Sequence, residues 1–403
     1  MRGRVLRLSI AVLVAALSAA LAVTLVACSA PSEPAPEAGG SGEVSGEPVK
    51  IGAVVSVTGT YAGLGEPEKA ALEMEVERIN ADGGINGRPV ELIIEDDATD
   101  EAKAVAATSK LIDQDQVLAI IGATGTGQTM AMRGDINRAG VPQVSMAGGT
   151  VITAEFDPLV FATPWSNTIV VPTTLEAIKA AGITKIGVIT DSGGFGKDGL
   201  AVLEAEAPKA GIEIVSSQTF NPGDTDMTAQ LTKIKGTDAG ALVMWTAGKE
   251  AATVVKNAND LGMKLPVYGS HGNARKEFAE GAGEAANGMK IAAGKVLIPE
   301  AYGEGTEGYV VATEFIARFK EATGVEPSTF AGHAYDSLYL IVEAARRVQG
   351  DLTSAAIRDE IEKTSGFVGI GGTFNMSPTD HNGLTKDDLT FYVIEDGAFK
   401  LAE

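Results

Sequence analysis

One stretch of the chain predicts its fold: VLAIIGATGTGQTMAMRGDINRAGVPQVSMAGGT, residues 117–150. The apolar run at 117–121 has the length of one buried strand and is too short for a helix. A loop rich in glycine and threonine follows, then apolar residues at helical spacing, then a second strand at 141–146. Short buried strands that alternate with helices predict an α/β fold with a parallel sheet covered by helices on both faces.

The same stretch predicts an anion-binding site. Backbone N–H groups are free at the start of a helix, and the helix dipole there favours a negative group by about 0.3–2 kcal/mol. The loop at 122–127 contains hydroxyl groups and glycines but no Lys or Arg. We therefore expect a carboxylate-sized anion held by neutral donors.

The strand–loop pattern restarts in the middle of the chain. Lys50-Ile51-Gly52 opens one predicted strand, and Lys185-Ile186-Gly187 opens another 135 residues later. Each strand leads into a loop that pairs an aromatic residue with glycines, at Tyr61 and at Phe195. Together with the matching order of strands and helices, this weak self-similarity predicts two related lobes.

The first helix is predicted at 67–81, because Pro67 suits the first turn of a helix. The C-terminal part is predicted to contain helices at 307–323, 330–348 and 353–364. Two strands, 367–376 and 389–398, follow, joined by a turn at 377–383. Asn382-Gly383 can supply the positive φ that such a turn needs.

Five loops directly follow predicted strands, at 124–127, 147–149, 193–196, 245–248 and 270–273. Ligands of open α/β sheets gather at the carboxyl ends of the strands. The five loops therefore predict one small-molecule site. Phe195 and Trp245 lie in or beside these loops, where an aromatic residue either belongs to the core or lines the ligand.

Composition excludes several classes of partner and chemistry. The net charge of −21 repels nucleic acids and anionic lipid headgroups. Cys28 is the only cysteine, so no intrachain disulfide or cysteine-based metal site can form. The three histidines lack metal-ligand spacing, and Asp96, Asp97 and Asp100 are explained by a solvated turn and the start of a helix. We expect no metal ion.

Catalytic and nucleotide-binding motifs are incomplete. Gly125-Thr126-Gly127 follows a strand, but Met130 stands where a dinucleotide fingerprint has its third glycine. Ser270 and His271 are adjacent, and neighbours on a strand face opposite ways. We expect no catalytic residue and no cofactor.

The N-terminus predicts secretion. Three arginines precede an apolar run at 8–27, which is typical of a signal peptide. Leu25-Val26-Ala27-Cys28 resembles a lipoprotein processing site, with Cys28 lipidated; the alternative is an uncleaved membrane anchor. Residues 28–48, rich in Ser, Pro, Gly and Glu, predict a flexible linker that spans roughly 25 Å.

Several motifs together resemble one protein family. They are the lipoprotein site, TGTYAGLG at 58–65, NADGGINGR at 80–88, Asp96-Asp97 with Asp100, and IIG at 120–122. From about residue 49 to residue 401 the chain resembles the leucine/isoleucine/valine-type (type I periplasmic) substrate-binding proteins of ABC transporters.

The resemblance implies two doubly wound parallel-sheet lobes joined by a three-strand hinge. Lobe 1 would comprise 49–166 and 297–378, and lobe 2 would comprise 167–296 and 379–403. It also implies a monomeric, non-enzymatic protein, lipid-anchored outside the cytoplasm, that passes a small organic ligand to an ABC permease and ATPase. The alternative is a ligand-sensing receptor module with the same fold.

The resemblance also implies site residues. Thr126 and the stretch Ala147–Gly149 match the positions that grip the α-carboxylate in amino-acid-binding members. Phe195 matches an aromatic position, and His271 falls where those members place an acid for the ammonium group. The expected ligand is therefore an amino acid, an aromatic acid or a related carboxylate or amide. An aromatic acid, another carboxylate or an amide suits His271 better than an amino acid does. The predicted ligand-binding set is Tyr61, Thr124, Thr126, Gly127, Ala147, Gly148, Gly149, Phe195, Trp245 and His271.

Overall fold

The structure, a computed structural model, describes residues 44–402. The predicted signal peptide 1–27, Cys28 and most of the predicted linker lie outside the described residues. Residues at the end of that linker are held against the folded body. The Ser45 amide donates to the Gly87 carbonyl at 2.8 Å, and Arg88 Nε donates to the Glu47 carbonyl at 2.8 Å.

The strands of the described residues are short. They are β1 Val49–Val55, β2 Val90–Asp96, β3 Ala119–Gly122, β4 Gln143–Ser145, β5 Val160–Ala162, β6 Lys185–Asp191, β7 Glu213–Phe220, β8 Ala241–Trp245, β9 Val267–Gly269, β10 Lys290–Gly294, β11 Phe367–Val368, β12 Thr373–Phe374, β13 Leu389–Glu395 and β14 Ala398–Leu401.

The α-helices alternate with these strands until β10 and then come in succession. They are α1 Ala62–Ala81, α2 Glu101–Asp113, α3 Thr126–Ala139, α4 Val151–Ala154, α5 Asn167–Ala180, α6 Gly194–Glu206, α7 Thr228–Lys235, α8 Glu250–Asp260, α9 Lys276–Ala282, α10 Glu307–Thr323, α11 Thr329–Arg347 and α12 Ser354–Glu362.

The first sheet is wholly parallel, in the order β2-β1-β3-β4-β5. Alternate residues of β1 face different clusters: Ile51 and Ala53 pack in one with α1 and α11, while Val54 packs in another with α2. A strand buried on both faces explains why its sequence is almost uninterruptedly apolar. The sheet is doubly wound, as predicted.

The second sheet has the order β14-β13-β10-β9-β8-β6-β7, with antiparallel β13 and β14 at one edge. Its strand β6 lies between β7 and β8, as β1 lies between β2 and β3 in the first sheet. The self-similar segments at Lys50 and Lys185 therefore occupy equivalent central strands. This confirms the prediction of two related parallel-sheet lobes.

The chain passes between the two sheets three times. It leaves the first sheet after β5, leaves the second after β10 for helices α10 to α12, and returns for β13. Helix α11 packs on α1 beside the first sheet. One apolar cluster continues through both lobes along this path. The exact lobe bounds stay a prediction.

The predicted turn at 377–383 is confirmed, and it is anchored to the first lobe. Gly383 has a φ of 68°. Asn382 Nδ2 donates to the carbonyls of Ala162 at 3.0 Å and Pro164 at 2.7 Å, and the buried His381 ring stacks on Phe161. The third passage is thereby fixed against the first.

Several predicted elements were wrong in extent. Helix α1 begins at Ala62 rather than Pro67, because Leu64 is already buried in the helix–sheet interface. The strand predicted at 367–376 is a hairpin, broken where Gly372 adopts a φ of 144°. The strand predicted at 389–398 also turns, at Asp396-Gly397, two positive-φ residues that suit a tight hairpin.

Strands β5 and β10 and helices α5 and α9 were not predicted; β5, for example, is only three residues long. The acidic turn was interpreted only partly correctly. Asp100 does cap α2, accepting from the Lys103 amide at 2.9 Å. Asp97, however, is fully buried and accepts from Ser56 Oγ at 2.6 Å, so it is not solvated. Among the helices of residues 44–402, none is both long and apolar enough to cross a membrane.

Candidate ligand-binding site

The candidate site is a cavity between the two lobes. About 340 Å³ of space between its walls is free of protein atoms, a volume that includes solvent open to the outside. The loops after β1, β3 and β4 approach it from one lobe, and those after β6, β8 and β9 approach it from the other. These are the carboxyl ends of strands next to the switch points of both sheets, where open α/β sheets bind ligands. Its lining residues are Tyr61, Leu64, Thr124, Gly125, Thr126, Met146, Ala147, Gly148, Pro164, Phe195, Ala247, His271, Gly272, Phe330 and His333.

Thr126 brings a free hydroxyl to the cavity from the first lobe. It is the first residue of α3. The residue before it, Gly125, has an extended backbone and no side chain that could cap the helix. The Thr126 side chain is 2% exposed, and its Oγ1 has no hydrogen-bond partner. The adjacent N–H groups of the first turn have no intrahelical partner either. Hydroxyl, N–H groups and helix dipole together can hold a carboxylate.

Thr124 lines the same cavity, but its hydroxyl is already used. Thr124 Oγ1 accepts from the Ser56 amide at 3.0 Å and donates to Glu68 Oε2 at 2.5 Å. Burial raises the pKa of Glu68 well above its ordinary value. Thr124 therefore braces the loops after β1 and β3, and Thr126 remains the hydroxyl available to a ligand.

The loop after β4 brings backbone rather than side chains to the cavity. Ala147 and Gly148 line it, and a Cβ added at Gly148 would collide with His271 Nε2 of the other lobe. Gly149 lies beside the lining, with its Cα against the Thr126 side chain. Gly127 likewise lies outside the lining, on the first turn of α3 and close to Gly194 of the second lobe. The binding roles predicted for Gly127 and Gly149 stay predictions.

Phe195 and Trp245 form two layers of the second lobe. Phe195 lines the cavity and meets the His271 ring edge-on, with ring centroids 5.2 Å apart. Trp245 is fully buried behind both, with its ring centroid 6.4 Å from that of Phe195. Its Nε1 donates to Asn167 Oδ1 at 3.0 Å. Trp245 thus supports the lining residues and does not reach the cavity in this structure.

Two neutral imidazoles face the cavity, one from each lobe. His271 follows β9, and His333 lies on α11 against Trp165, at a ring-centroid distance of 5.4 Å. Burial lowers the pKa of each to about 3. The Nδ1 atoms of both are buried with no hydrogen-bond partner. Ser270, next to His271, instead donates its hydroxyl to the Thr246 carbonyl at 2.7 Å.

Tyr61 closes the cavity at the start of α1. Burial, with a smaller contribution from the nearby Asp191 and Glu250 carboxyl groups, raises the pKa of its phenol well above the ordinary value. The hydroxyl therefore keeps its proton. Arg275, 4% exposed, lies beside it and donates to the carbonyls of Gly272 and Gly248, which joins the loops after β9 and β8.

The lobes contact each other directly around the cavity. Asp198 of α6 accepts from the backbone amides of Thr150 at 2.7 Å and Val151 at 3.2 Å. The Lys249 amide donates to the Thr60 carbonyl at 3.4 Å from the second lobe to the first. The structure therefore shows the cleft closed.

Sequence reasoning missed eight lining residues. Gly125, Ala247 and Gly272 lie inside loops that were predicted to meet at the site, so only their contact with the cavity was missed. Leu64, Met146, Pro164 and Phe330 gave no local signal of binding, and His333 gave only a weak one. A histidine inside the apolar helix that contains Phe330 was the one available hint, since buried polar side chains need a partner.

Two doubly wound α/β lobes, linked by three chain passages and closed over a shared cavity, define the type I class of periplasmic binding proteins. The sequence profile of the family described as "Periplasmic binding protein" matches residues 48–398. The chain therefore belongs to the periplasmic binding protein family and is of its leucine/isoleucine/valine-binding type. Membership of this family indicates a location outside the cytoplasm.

Individual relatives agree with that assignment. A Leu/Ile/Val-binding protein homolog from Brucella melitensis is 27% identical over 87% of this chain and 92% of its own length. An extracellular ligand-binding receptor from Rhodopseudomonas palustris has a TM-score of 0.83 at 28% identity, covering 89% of this chain and 100% of that one. The branched-chain amino acid transporter substrate-binding protein of Streptococcus pneumoniae, solved with isoleucine, has a TM-score of 0.77 at 30% identity, covering 89% and 99%.

Proposed function

We propose that this protein binds a small organic ligand outside the cytoplasm and delivers it to an ABC importer of the branched-chain amino acid type. The ligand class is an amino acid, an aromatic acid or a related carboxylate or amide. The observation that supports this most is the cavity to which both lobes contribute, with direct bonds between the lobes around it. A ligand that contacts both lobes stabilises the closed form, which a permease can then recognise.

We propose that the protein acts by binding alone. The cavity presents free donors for a carboxylate at Thr126 and apolar walls such as Phe195 and Met146. A dissociation constant of 1 µM corresponds to about −8.2 kcal/mol. A few hydrogen bonds to a carboxylate, at about 1.5–3 kcal/mol each, with a buried apolar body, supply this after the costs of association.

We propose a single copy tethered to the membrane through a lipid on Cys28, with residues 29–43 as the tether. The partners are then the permease and ATPase complex and the lipid bilayer, and not nucleic acid, which the net charge of −21 repels. Large apolar side chains are rarely exposed in residues 44–402, which favours a monomer. The exposed ones are Val151, Phe156, Val310, Val325 and Leu401.

Small molecules released from the purified protein test the proposal directly. Mass spectrometry of the denatured protein should find one organic carboxylate, amino acid or amide at up to one molecule per chain. The same compound should raise the melting temperature when it is added back. A bound compound that the protein converts into a product would overturn the proposal in favour of an enzyme.

Uptake by cells separates transport from sensing. Cells that lack this protein should take up the identified ligand at least tenfold more slowly, and expression of the wild-type chain should restore the rate. Normal uptake combined with a lost transcriptional response to the ligand would support the sensing module instead. A Cys28→Ala chain should appear in the soluble extracytoplasmic fraction; membrane retention would contradict the lipid anchor.

A further inference from the structure

The lining of the cavity contains no charged side chain among the described residues. The side chains that reach it are apolar, such as Leu64, Met146 and Phe330, or neutral and polar, such as Thr126 and His271. An α-amino acid carries both a carboxylate and an ammonium group. The neutral donors around Thr126 suit the first group, while the lining gives the second no counter-charge.

Buried acids lie behind the lining in both lobes. In the first lobe Glu68 accepts from Thr124 Oγ1 at 2.5 Å, and burial raises the pKa of Glu68 well above its ordinary value, which favours its uncharged form. In the second lobe Asp191 and Glu250 lie behind the loops. Asp191 Oδ1 accepts from the Gly193 amide at 2.8 Å, and Glu250 Oε1 accepts from the Gly223 amide at 2.7 Å. Both carboxyl groups are at least 96% buried and do not line the cavity. An ammonium group would have to displace the lobe-2 loops to reach either of them.

The positions that could face an ammonium group are occupied by imidazoles. His271 and His333 are buried from the two sides of the cavity, and the Nδ1 atom of each has no partner. Burial keeps both rings neutral, because it lowers their pKa to about 3. A neutral imidazole can donate to or accept from an uncharged oxygen. It cannot compensate the charge of an ammonium ion taken out of water.

We infer that the ligand of this cavity is a monocarboxylate without an amino group. Its carboxylate lies at the start of α3 beside Thr126, and its branched aliphatic or aromatic body lies among Phe195, Phe330 and Leu64. A hydroxyl or keto oxygen on that body can face His271 and His333. This inference rests on the proposed function and narrows its ligand class.

Matched pairs of compounds test the inference by calorimetry on the wild-type protein, after bound ligand has been removed by unfolding and refolding. The probes are leucine against 4-methylpentanoate and 4-methyl-2-oxopentanoate, and phenylalanine against 3-phenylpropanoate. Each comparison changes only the group next to the carboxylate. The amine-free acid should bind at least tenfold more tightly in at least one series.

The outcomes are distinguishable. An amino acid that binds as tightly as its amine-free partners in every series overturns the inference and leaves the proposed function standing. Absence of binding in all series by refolded, cooperatively melting protein also overturns the inference. If purified protein then releases no small organic molecule either, the proposed function fails as well.

Two variants test which residue makes the cavity prefer an amine-free acid over the matching amino acid. His271→Asp places a carboxylate in the cavity, so the preference for the amine-free acid should fall at least tenfold. An unchanged preference in a folded His271→Asp protein contradicts the role of His271. Asp191→Asn is the control, because it removes the charge of a buried acid close to Tyr61 and should leave the ratio within each pair unchanged. A changed ratio would assign the amino group to Asp191 and overturn the inference.

Discussion

At the scale of single residues, two threonines of one loop have different tasks. Thr124 and Thr126 both line the cavity, yet only Thr126 Oγ1 has no partner within the protein. The hydroxyl of Thr124 is bound to Ser56 and Glu68. The residue type therefore does not tell which hydroxyl serves the ligand.

Thr126→Val should weaken ligand binding by about 1–3 kcal/mol, since the carboxylate loses one hydrogen bond and valine keeps the shape of the side chain. The free energy of unfolding should stay within about 0.5 kcal/mol, because no protein hydrogen bond is lost. Titration calorimetry and urea denaturation measure the two quantities. Thr126→Ser, which retains the hydroxyl, is the matched control; equal affinity of the valine variant and the wild type would refute the assignment.

The two cavity histidines should make stability fall in mild acid. Their pKa is about 3 in the folded state and about 6.5 unfolded, so the unfolded chain alone takes up these protons between those values. Stability is therefore lost as the pH falls below about 6.5. At pH 5 each histidine should cost about 2 kcal/mol relative to pH 7. His333→Gln should reduce the difference in unfolding free energy between pH 7 and pH 5 by about that amount, and an unchanged difference would show that His333 titrates normally.

At the scale of elements, helices α1, α10 and α11 are joined by one buried carboxylate. Glu75 is fully buried and accepts from Arg78 Nε at 2.9 Å, Arg318 Nη2 at 3.0 Å and the Tyr339 hydroxyl at 2.7 Å. Helix α11 supplies Phe330 and His333 to the cavity. The Glu75 cluster therefore holds the helix that completes the site.

Glu75→Ala should lower the free energy of unfolding by about 3–5 kcal/mol, because it leaves two guanidinium groups without their buried partner. Glu73→Ala, on the same helix, is the control. It removes only an exposed pair with Lys69 at 2.6 Å and should cost at most about 0.5 kcal/mol. Urea denaturation compares the variants, and equal losses would show that burial of the cluster is not decisive.

At the scale of the whole molecule, the closed form depends on backbone contact between the lobes. A Cβ added at Gly194 would lie 2.6 Å from the Gly127 backbone nitrogen of the other lobe. Neither partner can move without moving its helix. Gly194 thus permits the two lobes to approach each other closely. Asp198 stabilises this contact by accepting hydrogen bonds from the Thr150 and Val151 amides.

Gly194→Ala should favour the open form and weaken ligand binding at least tenfold. X-ray scattering should show a smaller ligand-induced decrease in radius of gyration than in the wild type. Gly134→Ala in α3 is the control, since its added Cβ would meet nothing within 4 Å. Normal closure of the Gly194 variant would show that the lobes meet differently in solution.

Much of the fold and part of the site could be predicted from the sequence. The alternation of short apolar strands with helices predicted doubly wound sheets. The stretch at 117–150 predicted a strand, a glycine loop and a helix in that order, although α3 begins at Thr126, inside the predicted loop. Errors occurred where no local pattern exists, as in the three-residue strand β5, or where glycines bend a strand, as at Gly372.

The sequence by itself determined the strand, glycine loop and helix start that we propose bind the carboxylate, because backbone N–H groups and hydroxyls after a strand are positioned by their chain neighbours. Only the tertiary structure decided which side chains face the cavity. Trp245, the last residue of β8, lies behind Phe195 at the start of α6, and His333 lies on α11, more than 200 residues after Thr126. Those positions depend on the three passages between the lobes and on how helices pack against the sheets, and neither is encoded in any local stretch of sequence.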